Sequence, residues 1–132
     1  MPAGHRLARG TAIRLTELAS ESWVEGFPDS SQTLTDACLR AGFRPRVEFA
    51  MRQWPAKQGF VAAGLGLALV PLLAAGTTQP GIVLVPLHPD DAPTRIVHAA
   101  TWRGLARPAP AMAFLRCLEA AARALTAQAR RD

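Results

Sequence analysis

The chain has 132 residues, 49% of them hydrophobic, which is enough to bury one modest core. Its formal charge of +5 comes from 15 basic and 10 acidic residues. These are interleaved, and no basic run carries stacking aromatics, so no direct specific DNA contact is predicted. The first ten residues contain no apolar signal-peptide core, and no apolar run approaches the ~20 residues of a membrane span. Together these features predict a cytoplasmic protein without membrane contact.

The first predicted strand lies at Ser22–Glu25, where Trp23 and Val24 provide apolar anchors. It follows a basic stretch, residues 1–9, which predicts a loop, and a short turn or helix at Thr11–Leu18.

A helix is predicted after the turn-forming stretch that follows this strand. Asp29 and Gln32 have the spacing of a capping box, and Ser30 and Ser31 are alternative caps. The apolar residues of the helix repeat on one face, and Gly42 is a natural stop.

A second strand and a second helix follow. Val47 and Phe49 alternate with polar residues, which predicts a half-buried strand. Pro55 suits the first turn of the next helix, because the missing N–H is no loss there. This helix is predicted to run to Gly64, although Gly59 weakens it by ~1 kcal/mol relative to alanine.

The stretch Val61–Pro71, VAAGLGLALVP, predicts a helix end, a tight turn and a buried strand. Gly64 suits a position of positive φ just past a helix, and Gly66 permits close approach of two backbones. Leu67–Val70 is an apolar run that Pro71 ends. The two glycines follow a helix and precede a strand, the reverse of a dinucleotide-binding fingerprint, so that interpretation is rejected.

The remaining chain predicts one helical turn at Pro71–Ala75, strands at Ile82–Val85 and Arg95–Thr101, and a long final helix with an apolar stripe from Phe114 to Leu125. The order is β-α-β-α-β, then two further strands and a helix. Strands that alternate with helices predict an α/β sandwich with a largely parallel sheet.

The sequence contains no persuasive catalytic or metal-binding set. His5, His88 and His98 are far apart and have no metal-ligand spacing. Cys38 and Cys117 each lie on the apolar side of a predicted helix, as small buried hydrophobic residues do. We therefore predict a protein that is not an enzyme and needs no cofactor or metal.

Four pieces of the chain occur in an order that resembles a known family. They are GHRLARGTAIRLTELASESWV, AGFRPRVEF, VAAGLG with the following strand and LVP, and PTRIVHAATWRG with PAPAMAFLRCLEAA. Together they cover nearly the whole chain and resemble the effector-binding (substrate-binding) domain of LysR-type transcriptional regulators. The proline that follows the first histidine in this family is Arg6 here.

The resemblance implies one lobe of the type 2 periplasmic-binding-protein fold plus a strand and helix of the other lobe. Residues of about 20–80 would form the second lobe, 81–86 would cross the hinge as a strand, and 94–128 would supply the C-terminal strand and helix of the first lobe. Neither a helix-turn-helix nor the rest of the first lobe is recognisable, so a truncated domain is expected. A complete small α/β domain is the alternative.

A binding site is predicted where helix N-termini follow strand ends, because ligands of open α/β sheets bind there and helix N-termini favour carboxylates. The resemblance favours these places, since effectors of the family bind between the lobes near them. Alternatively, Trp54 belongs to the core and Lys57 is a solvated surface charge. The candidate effector-binding residues are Gly26, Phe27, Ser30, Ser31, Gln53, Trp54 and Lys57.

The sequence is therefore interpreted as a truncated effector-sensing regulatory domain of a LysR-type transcription factor. Its expected partners are a small, often anionic metabolite and further copies of the chain in a homo-oligomer. Two alternatives stay open, a small-molecule carrier with a periplasmic-binding-like fold and a self-associating remnant without a ligand.

Overall fold

The computed structural model describes residues 1–26, 32–94, 96–101 and 108–128. The chain divides into two compact units, residues 1–94 and 95–132. In the first unit the elements are a 3-10 helix Leu15–Leu18, strand β1 Ser22–Glu25, helix α1 Gln32–Arg40, strand β2 Arg46–Ala50, helix α2 Trp54–Ala62 and a 3-10 helix Leu72–Thr77. In the second unit the described helix is α3, Ala109–Gln128.

Strands β1 and β2 pair in parallel, as the alternation of strands and helices predicted. Trp23 pairs with Val47, and after an irregularity Val24 pairs with Phe49. The connection between them contains α1, because parallel neighbours require a crossover. The first unit is therefore of the α/β class.

The two faces of β1 pack against different helices, because successive residues of a strand point to opposite faces. Trp23 joins the main core with residues of α1 and of the first 3-10 helix. Its buried members are Ile13, Leu15, Leu18, Trp23, Leu34, Ala37, Cys38 and Leu67. On the other face Val24 is fully buried and α2 contacts β1. Phe49, the partner of Val24, contacts Phe60 of α2 with ring centroids 4.9 Å apart.

Burial has a chemical consequence at Cys38, whose thiol lies inside this core. It raises the pKa of the Cys38 thiol to about 11, because the thiolate is poorly solvated there. The predicted role of Cys38 as a small buried hydrophobic residue is confirmed.

Both helices of the first unit end at the predicted glycines. Gly42 after α1 has φ of +88° and Gly64 after α2 has φ of +78°. Past α2, the Gly64 amide donates to the Val61 carbonyl and the Leu65 amide to the Phe60 carbonyl, at 2.9 and 3.0 Å. This is the Schellman arrangement, which satisfies the last carbonyls of a helix. The same pair of bonds follows α1.

Gly66 lies where the chain leaves α2 and meets β1. A Cβ atom at this position would lie 2.9 Å from the Ser22 carbonyl oxygen and 3.1 Å from Val24 Cγ2. The Val24 amide donates to the Leu67 carbonyl at 2.7 Å, and the Leu67 amide donates to the Ser22 carbonyl at 2.8 Å. The predicted close approach at Gly66 is confirmed.

Three of the predicted strands are wrong within the described residues. Leu67–Val70 forms only one parallel bridge, from Leu67 to Trp23, and the chain then continues to the 3-10 helix at Leu72. Ile82–Val85 pairs only through a bridge at Ile82. The described residues 96–101 form no strand, and Ile96 and Val97 are exposed. Apolar runs favour β structure only where a partner strand continues alongside them.

The basic N-terminal stretch consists of turns and bends apart from one bridge residue, so the predicted loop is confirmed, but backbone pairing holds it in place. Pro2 forms an antiparallel bridge with Ile82, supported by bonds from the Ala3 amide to Gly81 and from the Val83 amide to Met1. Met1 and Leu7 are partly buried against the main core. Backbone pairing to a segment about 80 residues away fixes this stretch, and no local pattern reveals it.

The residues at the start of the first 3-10 helix contact the segment 87–91. Ile13 forms a parallel bridge with Leu87. Arg14 Nε and Nη2 donate to the Asp91 carboxylate at 2.8 and 3.0 Å, and the Leu15 amide donates to it at 2.8 Å. The hydrogen bonds from Arg14, and then the one from Leu15, lower the pKa of the Asp91 carboxyl. A charged hydrogen-bond cluster thus fastens the 88–91 turn to the start of the helix.

In the second unit the apolar stripe of α3 is exposed to solvent. Phe114, Leu118 and Leu125 are 64%, 41% and 50% exposed. Cys117 is exposed as well, so its predicted burial is wrong. No helix in the described part of the chain is both long and apolar enough to cross a membrane.

Two glycine-to-alanine substitutions should have opposite effects on stability. Gly66→Ala should destabilise the protein by about 1–3 kcal/mol, since the new methyl group meets the backbone of Ser22. Gly59→Ala should stabilise it by about 0.5–1 kcal/mol, because no described neighbour lies within 4 Å and alanine is the better helix former. Urea denaturation of both variants measures the difference. Equal effects of the two substitutions would contradict the close approach at Gly66.

Candidate functional site

The carboxyl ends of β1 and β2 lie together at one edge of the first unit. Because the strands are parallel, Gly26 after β1 and the Met51–Gln53 connection after β2 leave the sheet at the same edge. The Met51 amide donates to the Glu25 carbonyl at 2.9 Å, which extends the pairing by one step. Helix α2 begins directly after this connection, in the position where ligands of open α/β sheets bind.

The first turn of α2 has the features of an anion-binding helix end. Gln53 is the N-cap residue, and Pro55 lies in the first turn. Within the described residues the Gln53 side chain caps no backbone amide, and it is exposed. The amides of Trp54 and Ala56 belong to the first turn, which has no acceptors inside the helix. Together with the helix dipole they favour a negatively charged group.

A buried ion pair joins β1 to α2 just beneath this edge. Lys57 Nζ donates to Glu25 Oε1 at 2.5 Å. Glu25 is 8% exposed and Lys57 is 9% exposed. The same carboxylate oxygen accepts the Gly26 amide at 2.8 Å. Lys57 is therefore neither a solvated surface charge nor an unpaired cation awaiting a ligand, because its charge is balanced by Glu25.

A second set of hydrogen bonds ties α2 to the 77–79 segment. Trp54 Nε1 donates to Thr77 Oγ1 at 3.1 Å. Gln58 is 4% exposed, and its Nε2 donates to the Thr77 carbonyl at 3.1 Å. Its Oε1 accepts the Gln79 amide at 2.6 Å. Gln58 thus holds this segment against α2 through both ends of its amide.

A small cleft lies between α2 and the segments that follow it. Its volume is about 10 Å³, room for about one water molecule. The described residues that line it are Met1, Trp54, Lys57, Gln58, Val61, Ala68, Val70, Thr78 and Ile82. A ligand larger than water would need the cleft to open.

The structure brings some of the predicted site residues together. Trp54 and Lys57 line one cleft, Gln53 lies on the surface at the start of the same helix, and Gly26 is buried with its amide bonded to Glu25. Trp54 is half-buried, so it is neither a full core residue nor a fully exposed wall of the site. The other predicted site residues, Phe27, Ser30 and Ser31, lie outside the described residues.

A second, larger cleft of about 150 Å³ lies at the amino ends of the strands, lined in part by His5, Glu21 and Arg46. Glu21 Oε1 lies 2.9 Å from Arg6 Nη2 and 3.4 Å from His5 Nε2. Partial burial alone would raise the pKa of the Glu21 carboxyl. The hydrogen bonds from Arg6 and His5 outweigh this effect, so the pKa is lowered.

Sequence reasoning missed Glu25 and Gln58, which together with Lys57 are the buried polar residues among those described. One signal for Glu25 was available, an acid as the last residue of an apolar strand in a chain whose only lysine is Lys57. A buried carboxylate requires a partner. Gln58 had no such signal, since a glutamine within a helix is ordinarily a surface residue.

Residues 1–123 match the sequence model of a family described as the LysR substrate binding domain. The chain belongs to this family. The match spans both units and confirms the resemblance of the four sequence pieces.

Two curated transcriptional regulators are similar to the chain. It is 31% identical over 103 residues to the uncharacterised HTH-type transcriptional regulator YwbI of Bacillus subtilis (strain 168), covering 75% of this chain and 33% of that protein. It is 32% identical over 83 residues to the transcriptional dual regulator GltC of the same organism, covering 61% and 27%. The chain thus spans about a third or less of the length of these relatives.

A solved structure is also similar, the C-terminal domain of a probable LysR family transcriptional regulator from Rhodococcus sp. RHA1. The identity is 35%, with 53% of this chain and 35% of that chain covered and a TM-score of 0.49.

Two glutamines of α2 should differ sharply in their contribution to stability. Gln58→Leu should destabilise the protein by about 1–3 kcal/mol, because the Thr77 carbonyl and the Gln79 amide lose their partner. Gln53→Leu is the matched control and should change stability by no more than about 0.5 kcal/mol, since its side chain is exposed. Thermal and urea unfolding report both values. A harmless Gln58→Leu would show that the 77–79 segment is held by other contacts.

Proposed function

We propose that this chain senses a small, often anionic metabolite as the regulatory domain of a LysR-type transcription factor. Membership of the LysR substrate-binding domain family supports this function. The similar curated proteins are named as transcriptional regulators, which favours regulation over a carrier or an enzyme. Such a regulator acts in the cytoplasm, and the chain itself makes no specific DNA contact in this proposal.

The proposed effector site is the edge where β1 and β2 end and α2 begins. The observation that supports it is the convergence of Gln53, Trp54 and Lys57 at one helix start, with Gly26 following the neighbouring strand. In the proposal the first-turn amides, Gln53 and Lys57 bind the polar group of the effector, and Trp54 covers its apolar part. Phe27, Ser30 and Ser31 complete the site from the other strand end.

Small carboxylates should bind weakly at this edge. We expect millimolar affinity, ~4 kcal/mol, because the cleft is narrow and few groups contribute. A chemical-shift titration of the uniformly ¹⁵N-labelled chain with aliphatic and aromatic carboxylates measures it. The shifts should cluster at residues 26–31 and 53–57.

The control for this titration removes Lys57 without leaving a buried charge. Lys57→Ala alone would leave the Glu25 carboxylate buried without its partner and destabilise the chain. The double substitution Lys57→Met with Glu25→Gln is therefore used instead. The shifts should shrink in this variant. Shifts that cluster on α3, or that survive the double substitution unchanged, would place the pocket elsewhere.

We further propose that the chain forms a homo-oligomer through the exposed apolar stripe of α3. Sedimentation should show association at micromolar concentrations, and Leu118→Asp should abolish it, because a charge buried in an interface costs several kcal/mol. Arg116→Asp on the same helix is the matched control and should leave association intact. A monomeric wild-type chain at high micromolar concentration would refute the proposal, and circular dichroism is used to test whether both variants keep their helices.

A further inference from the structure

Glu25 contacts the donors that an effector carboxylate would use. Its Oε1 atom accepts a hydrogen bond from the Lys57 ammonium at 2.5 Å and from the Gly26 amide at 2.8 Å. A lysine ammonium beside a backbone amide is a favourable site for a carboxylate, because charge-assisted hydrogen bonds are the strong ones. Gly26 and Lys57, two of the residues predicted to bind an anion, therefore already bind the Glu25 carboxylate of the same chain.

Because both side chains are buried, the contact between Glu25 and Lys57 limits what a ligand anion gains by binding there. Glu25 and Lys57 are each at least nine-tenths buried, so neither charge is well solvated apart from the other. Lys57 nevertheless lines the small cleft beside Trp54. An anion that enters there meets a lysine whose charge is neutralised, and it cannot gain the full attraction unless Glu25 moves away.

We propose that Glu25 is a specificity-determining residue that competes internally with the anionic group of the effector. A ligand carboxylate gains the full charge of Lys57 and the Gly26 amide only by replacing the Glu25 carboxylate. A simple monocarboxylate gains too little from this exchange, so the site selects effectors that carry a second anchoring group, such as an apolar part that packs on Trp54. This inference rests on the proposed effector site and defines its ligand class.

Chemical rescue tests the inference on the full chain. Glu25→Ala removes the atoms of one acetate ion from the side chain and leaves Lys57 without its partner. Sodium acetate should therefore raise the thermal unfolding midpoint of Glu25→Ala as its concentration increases, because a ligand that binds only the folded state stabilises it. Wild type, measured at the same ionic strength with chloride as the reference, should respond little.

Two variants control this experiment. Glu48→Ala removes an exposed glutamate of β2 that pairs with Arg46, and acetate should not rescue it. The double substitution Glu25→Ala with Lys57→Met removes the cation as well, and the acetate response should disappear. If Glu25→Ala is unfolded without ligand, folding on addition of acetate supports the inference equally.

Glu25→Gln gives an independent measurement, since it keeps the shape of the side chain and removes its charge. Acetate should bind Glu25→Gln at least about tenfold tighter than wild type in a chemical-shift titration, because Lys57 is no longer neutralised. Equal affinities, or an acetate response in Glu25→Ala no larger than in Glu48→Ala, would overturn the inference. If larger carboxylates still shift residues 53–57 of wild type in that case, the effector site stands and only the role of Glu25 fails.

Discussion

The passage of Gly66 against the backbone of Ser22 is the contact on which the first unit depends. It allows Leu67 to exchange hydrogen bonds with β1 on the side opposite to β2. Gly64 prepares this approach, because its positive φ turns the chain back as soon as α2 ends. A helix that is closed in this way at its C-terminus and follows β2 at its N-terminus has little freedom relative to β1. That restraint brings Lys57 within bonding distance of Glu25.

The Glu25–Lys57 pair is better understood as a device for specificity than as a source of stability. The hydration that two charges lose on burial offsets much of the attraction between them, whereas removal of one partner lowers the free energy of unfolding by about 3–5 kcal/mol. The pair therefore penalises arrangements in which α2 is rotated or displaced from the end of β1. It also sets the electrostatic character of the candidate site, since a neutral pair replaces the single positive charge that the sequence suggests.

Features with local causes were predictable from the sequence. Strand β1 has the predicted bounds, Pro55 lies in the first turn of α2, and Gly42 and Gly64 end their helices, because each depends on the conformational preference of one or two residues. The family was predictable for a different reason, the order of four short pieces along the chain.

The failures share a dependence on distant partners. The apolar runs at Leu67–Val70 and Ile82–Val85 resemble strands, but each pairs at a single residue in its run. The site was only partly predictable for the same reason. The helix start at Gln53 carries a local signal, whereas Glu25 meets Lys57 across 32 positions that no periodicity connects.

The pairing of the N-terminal stretch with residues 81–88 has a consequence for the order of events during synthesis. Met1–Ala3 and Ile13 leave the ribosome well before their backbone partners, which lie about 80 residues later. Strand β1 can meet β2 much earlier, so the parallel pair precedes the closure of the N-terminal stretch. Contacts of such sequence separation form slowly, since a long loop must close first. Met1 therefore lacks its backbone partner Val83 on the nascent chain until that segment is synthesised, so closure of the first unit is a late step.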